Sequence, residues 1–236
     1  MDQRSRGSAT DSEQMNFLRT SKSEQELDDF RFQRAVDLLE STAGKVPRGA
    51  VWLDLGCNRG QFIERIVKSH GVRAVGFDDW SADLKQPSSF EWEYFQADLD
   101  SELPWHEPAD FISALEVLEH MIDTDGFLRR IHESLKPHGW TLISTPNINS
   151  LRNRIMTPFG VYPTGLEYRN IIHHVRLYNV TTLVGHLREF GFVNISVTGS
   201  SFLPLSLEMG TGGLSAFLAD KLPSFCSNLN VVAQRA

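Results

Sequence analysis

Residues 24–42 space Phe32, Val36 and Leu39 at helical intervals, so the pattern predicts an amphipathic helix ahead of the core. Short apolar runs of strand length follow at AVWLDL (50–55), VRAVGF (72–77), WEYFQ (92–96), DFISAL (110–115) and WTLIST (140–145). Two more close the chain, VNISVT (193–198) and LNVVAQ (229–234). Between them, three segments carry apolar residues on one helical face. These are Phe62, Ile63, Ile66 and Val67; then Phe127, Leu128, Ile131 and Leu135; then Leu183, Val184, Leu187 and Phe190. The second of these is expected to stop at LKPHG, where Pro137 cannot continue a helix and Gly139 permits the turn, and the third at Gly191.

Strands alternating with helices predict an α/β fold, a doubly wound, mostly parallel seven-stranded sheet covered on both faces. The last two strands lack a crossover helix, so an antiparallel hairpin is expected there. The segments 146–178 and 199–226 exceed ordinary loop lengths and read as insertions in a single domain over 23–236. The polar start, MDQRSRGSATDSEQ, lacks the apolar stretch of a signal peptide, and 1–22 reads as a disordered tail. Cys57 and Cys226 show no metal-finger spacing and read as free thiols in a reducing compartment. No apolar run approaches the roughly 20 residues of a membrane span, and the expected location is cytoplasmic. A net charge of −7 argues against broad nucleic-acid binding, which neutralises phosphates.

In open parallel sheets, ligands sit beyond the carboxyl ends of the strands. Three such ends carry suitable chemistry. LDLGCNRG (53–60) places Asp54 ahead of Gly56 and Gly60; Gly56 lets the backbone turn and Gly60 lets the next helix approach a ligand. Asp78 ends the second strand, where a carboxylate can accept from both hydroxyls of a ribose. Asp98 follows the third strand and can accept from an adenine amino group. Asp79 reads as a solvated neighbour. A dinucleotide site wants G-x-G-x-x-G, but Asn58 and Gln61 stand at the later positions, so a nucleoside cofactor without phosphates fits better.

These ordered motifs resemble class I S-adenosylmethionine-dependent methyltransferases over about residues 48–198 plus the last strand. DLGCNRG is similar to their first motif with one departure, Asn58, a residue that tolerates left-handed backbone. The resemblance implies S-adenosylmethionine as cofactor. Asp54, Gly56, Asn58 and Gly60 would form its methionine-side turn, and Asp78 would hold the ribose. Asp98 and Leu99 would meet the adenine, and the Leu115 backbone the amino group.

LEVLEHM (115–121) follows the fourth strand. If helical, Glu116, Glu119 and His120 share one side, where they can bind a cation, move a proton, or only favour a helix start. E-V-L-E-H resembles a subgroup that includes the O-methyltransferases of ubiquinone biosynthesis and 2′-O-methyltransferases of small-RNA ends. In those, the motif and a downstream His can hold a divalent cation, which implies Glu116, Glu119, His120 and His174 as ligands here. His120, His174 and Glu119 are also the candidate proton-handling groups. His174 is the closer match of the adjacent pair His173 and His174.

The expected activity is methyl transfer to an oxygen of a small-molecule, lipid-linked or glycan acceptor. The alternatives are N-methylation of a small metabolite, RNA 2′-O-methylation, and a non-catalytic subunit of the same fold. Residues 151–176 hold Arg152, Arg154, Arg169 and Arg176 against one acid, Glu167, among apolar residues; 201–225 is largely apolar. The two insertions, with the N-terminal helix, are expected to form a lid whose arginines meet an anionic acceptor. Alternative roles for these segments are packing on the sheet, peripheral contact with a membrane, and docking of a partner.

Overall fold

The computed structural model describes residues 22–79, 92–164, 166, 173–201 and 215–236, and for 22–29 the backbone alone. Residues 1–21 of the expected tail, Arg169, and residues 202–214 of the apolar stretch 201–225 lie outside the described residues, and Lys22, the last residue of the expected tail, opens the first helix.

Seven strands form one sheet: β1 (Val51–Leu55), β2 (Arg73–Asp78), β3 (Trp92–Gln96), β4 (Ala109–Leu115), β5 (Leu135–Pro146), β6 (Phe192–Ser200) and β7 (Asn228–Arg235). The spatial order is β3-β2-β1-β4-β5-β7-β6. The strands from β3 through β5 pair in parallel, whereas β7 runs antiparallel to both β5 and β6. The expected hairpin is therefore present, but β7 alone is reversed, inserted between β5 and β6. Chain order cannot disclose such an insertion. Every residue of VWLDL is buried, as a central parallel strand covered on both faces requires.

The described helices are α1 (Lys22–Ala43), α2 (Gln61–His70), α3 (Thr124–Ser134), α4 (Leu151–Met156) and α5 (Val180–Glu189), with a further helical stretch over 215–221. One face of the sheet packs Trp52, Phe111, Leu142 and Val232 against Ala35, Val36 and Leu39 of α1 and Phe62, Ile63 and Ile66 of α2. The other packs Phe77, Ile112 and Val231 against Phe127, Leu128 and Ile131 of α3 and Leu183 and Leu187 of α5. Local chemistry sets the helix starts. Asp123 caps α3 by accepting from the Gly126 amide at 2.9 Å, and Asn179 with Thr182 forms a reciprocal capping box on α5.

Helix α3 stops at Ser134, ahead of the expected LKPHG, because Leu135 already pairs with Ala109 while Trp140 pairs with Phe111. Residues 136–139 bulge between these pairs, with His138 at φ 64° and Lys136 Nζ donating to both Asp110 oxygens at 2.9 and 2.8 Å. Cys57 and Cys226 are both buried and are not joined in a disulfide, as the sequence reading expects. No helix among the described residues is long and apolar enough to cross a membrane.

Candidate active site

The turn after β1 is built from left-handed backbone. Gly56, Asn58 and Gly60 take φ of 76°, 45° and 80°, so the Asn that departs from the glycine pattern adopts the conformation it tolerates. The turn is tied to β2: the Gly56 and Cys57 amides donate to Phe77 O at 2.8 and 3.1 Å, and the Asn58 amide donates to Asp78 Oδ2 at 2.8 Å. A Cβ on Gly56 would come within 2.4 Å of Val117 Cγ2, which fixes glycine there.

At the point where the strand order reverses, between β1 and β4, lies a cavity of about 730 Å³. Its lining unites Asp54, Gly56, Asn58, Asp78, Asp98, Leu99, Leu115, Glu116 and His120 of the residues singled out in the sequence. Gly60 lies outside it. A Cβ there would meet Trp92 Cζ2 at 2.5 Å, so packing against β3 is what requires this glycine. Glu119 and His174 stand outside the lining as well, and His173 lies in it instead.

Asp54 is fully buried, and Ser113 Oγ donates to its Oδ1 at 2.6 Å; Trp52 Nε1 donates in turn to Ser113 at 2.8 Å. Burial pushes the Asp54 carboxyl up to about 7, with the neighbouring Asp78 charge adding and Ser113 opposing. Asp98 organises its own turn, accepting from the Asp100 amide at 2.9 Å and Ser101 Oγ at 3.1 Å. Asp79, read as merely solvated, also lines the cavity, and its carboxyl is raised, first by desolvation and then by Asp78. Sequence reasoning missed Phe32, Phe62, Asp100 and Met121. Phe32 had a signal of the wrong kind, since helical spacing assigns it to the core; its ring does pack 5.2 Å from Phe62, at the cavity wall.

The EVLEH segment is not one helix. Glu116 sits at φ 57°, its amide bonded to Ser144 O at 3.1 Å, and only Leu118–His120 form a 3₁₀ turn. The expected i, i+3, i+4 face is therefore broken at its first member. The Glu116 carboxylate accepts from Ser144 Oγ at 2.7 Å and from Asn228 Nδ2 at 2.8 Å. Glu119, His120 and His174 converge: one ligand atom from each lies within 4.8 Å of the others. The segment carrying His174 is held by the Val175 and Arg176 amides donating to Glu119 O at 2.9 and 3.1 Å. Glu119 is 2% exposed, its Oε2 has no hydrogen-bond partner, and desolvation followed by the Glu116 charge drives its carboxyl well above the usual range. A buried orphan oxygen beside two imidazoles fits a divalent cation in a two-histidine, one-carboxylate set that omits Glu116.

The insertions meet each other at the end of β5: Asn147 Nδ2 donates to Ser224 O at 3.0 Å and Cys226 O at 2.8 Å. Arg154 donates to Asn149 O and Ser224 O and lies 4.4 Å over the Phe225 ring. Arg152 donates to Thr164 Oγ1 at 3.0 Å, and Arg176 to Ile122 O at 2.6 Å. Among the described residues, His173 alone of the insertions lines the cavity, and α1 contributes Phe32 while packing against β5, β6 and β7. The described part of the expected lid thus braces the strand ends.

A reversed last strand in an otherwise parallel seven-stranded sheet, with acidic residues at successive strand ends, defines the class I S-adenosylmethionine-dependent methyltransferase architecture. A methyltransferase-domain family model matches residues 27–197, and the chain belongs to that family. It is similar to the ubiquinone biosynthesis O-methyltransferase of Azorhizobium caulinodans, 31% identical over 173 residues, which are 68% of this chain and 66% of that relative. The protein of the same description from Pseudomonas syringae pv. tomato is 33% identical over 163 residues, 65% of this chain and 69% of its own. The chain thus spans about two thirds of the length of these curated relatives. A structure of a possible histamine N-methyltransferase from Thermotoga maritima shares the fold over 97% of this chain and 96% of that one, with a TM-score of 0.62 at 12% identity.

Proposed function

We propose that the protein transfers the methyl group of S-adenosylmethionine to an oxygen of a small or lipid-linked acceptor. The observation that carries this is the placement of His120 in the wall of the same cavity as Asp54, Asp78 and Asp98. When bound, the cofactor supplies a methyl group already activated on a sulfonium, so the protein's task is alignment and proton removal. In this reading Asp78, tied to the Asn58 amide, accepts from the ribose, and Asp98, which shapes the turn after the third strand, meets the adenine. His120 takes the hydroxyl proton of the acceptor; its Nδ1 lies 3.1 Å from His173 O, so that nitrogen carries the hydrogen and Nε2 is the base.

Oxygen is favoured over nitrogen as the acceptor atom by the similarity to ubiquinone biosynthesis O-methyltransferases together with this base. A cation held by Glu119, His120 and His174 is a second reading of the cluster, favoured by the Glu119 orphan oxygen; it would supply a Lewis acid for a hydroxyl. The test is incubation with labelled cofactor and panels of phenolic, polyol, amine and RNA acceptors. Label in a phenol or alcohol is expected; label confined to amines refutes the oxygen assignment, and label confined to RNA refutes the small or lipid-linked acceptor.

A further inference from the structure

The sheet face beneath α1 is apolar through Trp52, Phe111, Leu142 and Val232, and then changes character at the carboxyl end of β5. Ser144, Asn230 and Thr198 are paired across β5, β7 and β6, and Asn228 is paired with Ser200 one step along. Paired residues share a face and alternate residues return to it, so these five side chains form one polar row under the helix. All five are buried. Arg31 and Arg34 of α1 lie against the row: Arg31 Nη2 donates to Asn228 Oδ1 at 3.4 Å, and Arg34 Nη2 to Thr198 Oγ1 at 2.8 Å.

Four atoms of this seam are buried without a hydrogen-bond partner: Arg31 Nε, Arg34 Nε, Asn230 Nδ2 and Ser200 Oγ. Buried polar groups are nearly always satisfied, so several orphans in one seam point to a group the seam receives. Three of the four are N–H donors and the hydroxyl donates equally well, so the complement is a cluster of oxygen lone pairs. Arg34 is matched in charge by Asp220 at 2.5 Å; Arg31 has no carboxylate partner among the described residues. An oxyanion matches a donor set that includes two guanidinium groups better than a neutral polyol does. The seam also reaches the cavity, since Asn228 donates to Glu116, and Glu116 and Phe32 line it. Both Glu116 oxygens are taken by Ser144 and Asn228, and the Asn228 amide separates that carboxylate from the guanidinium of Arg31.

We propose that this seam is an oxyanion subsite for the acceptor. A carboxylate or phosphate of the acceptor seats among Arg31, Asn230 and Ser200, and the group to be methylated extends past Glu116 into the cavity. The subsite rests on the methyl-transfer reading and gives it a substrate class, an acidic acceptor. It places an anion-binding role on α1, whereas Arg152 and Arg154 donate to Thr164 and to the Asn149 and Ser224 carbonyls.

Calorimetric titration of the full chain with S-adenosylhomocysteine, and then with 3,4-dihydroxybenzoate, phenyl phosphate and catechol, each with and without S-adenosylhomocysteine, separates the two ideas. At least one of the two anions is expected to bind about tenfold or more tighter than catechol, and which one does so identifies the oxyanion. Arg31→Met and the nearly isosteric Asn230→Asp are each expected to lose about tenfold or more of that anion's affinity and to keep the S-adenosylhomocysteine affinity. Two variants are used so that misfolding of one, read by circular dichroism, leaves the other decisive. Anions binding no tighter than catechol, or binding unaltered in the folded variants, overturns the subsite while cofactor binding stands. Anion binding through the seam without cofactor binding overturns the methyl-transfer reading and leaves the subsite.

Discussion

Asp54→Asn isolates one carboxyl that the fold keeps at a cost. Its acidity is shifted by burial from 3.8 to about 7, so between those values the folded chain holds a proton that the unfolded chain has released. Stability therefore falls as pH rises through that window and levels off above it. With 1.36 kcal/mol per unit, the residue's cost grows from about 2 kcal/mol near pH 5.5 to about 4 kcal/mol near pH 8.5, a loss of about 2 kcal/mol. In a chain of this size that is a fall in Tm of about 4–8 °C. Asn keeps the acceptor for Ser113 Oγ and cannot ionise, so Asp54→Asn should lack this part of the fall and be the more stable protein near pH 8.5. Glu119 is raised too and contributes with the same sign, so the decisive quantity is the difference between the two melting curves across pH, not either curve alone. The measurement is calorimetric or fluorescence melting of cofactor-free protein. Parallel curves for wild type and variant would refute the buried-carboxyl argument.

Other perturbations test the rest of the site. Asp78→Ala removes the acceptor of the Asn58 amide as well as the proposed ribose contact and should weaken S-adenosylhomocysteine binding by about 1.5–3 kcal/mol; unchanged calorimetric affinity would remove the ribose assignment. Gly56→Ala combines φ 76° with a Cβ 2.4 Å from Val117 Cγ2, and should lower unfolding free energy in urea by about 1–3 kcal/mol and cofactor affinity with it. If Glu119, His120 and His174 hold a cation, Glu119→Gln should abolish Mn²⁺ binding read by electron paramagnetic resonance, whereas Glu116→Gln should retain it. Loss in both variants would return Glu116 to the ligand set.

The largely buried strands β1, β2 and β4 and the acidic residue at each of three strand ends were legible because period and spacing are local properties. VWLDL and the Asp78 that closes β2 fall where the apolar pattern puts them. What was not legible depended on partners distant in sequence. Glu116 leaves helical geometry because its amide and carboxylate both engage Ser144, 28 positions on, and no propensity at residues 116–120 encodes that. Phe32 looks like any core residue until α2 is placed beside it. The polar row under α1 is invisible in single strands, since Ser144, Asn228, Asn230, Thr198 and Ser200 become neighbours only when β7 enters between β5 and β6.

That insertion also orders events in time. The wall made of Asp54, Asp78 and Asp98 comes from consecutive parallel units between residues 51 and 115, which can pair as soon as they meet. The Glu116 side closes only when Asn228, 112 positions away, arrives, and Arg31 reaches Asn228 across 197 positions. Loop closure over such separations is slow and comes late. In refolding, therefore, the ability to bind the nucleoside should return in an earlier kinetic phase than the ability to discriminate among acceptors, with β7 as the element that joins the two.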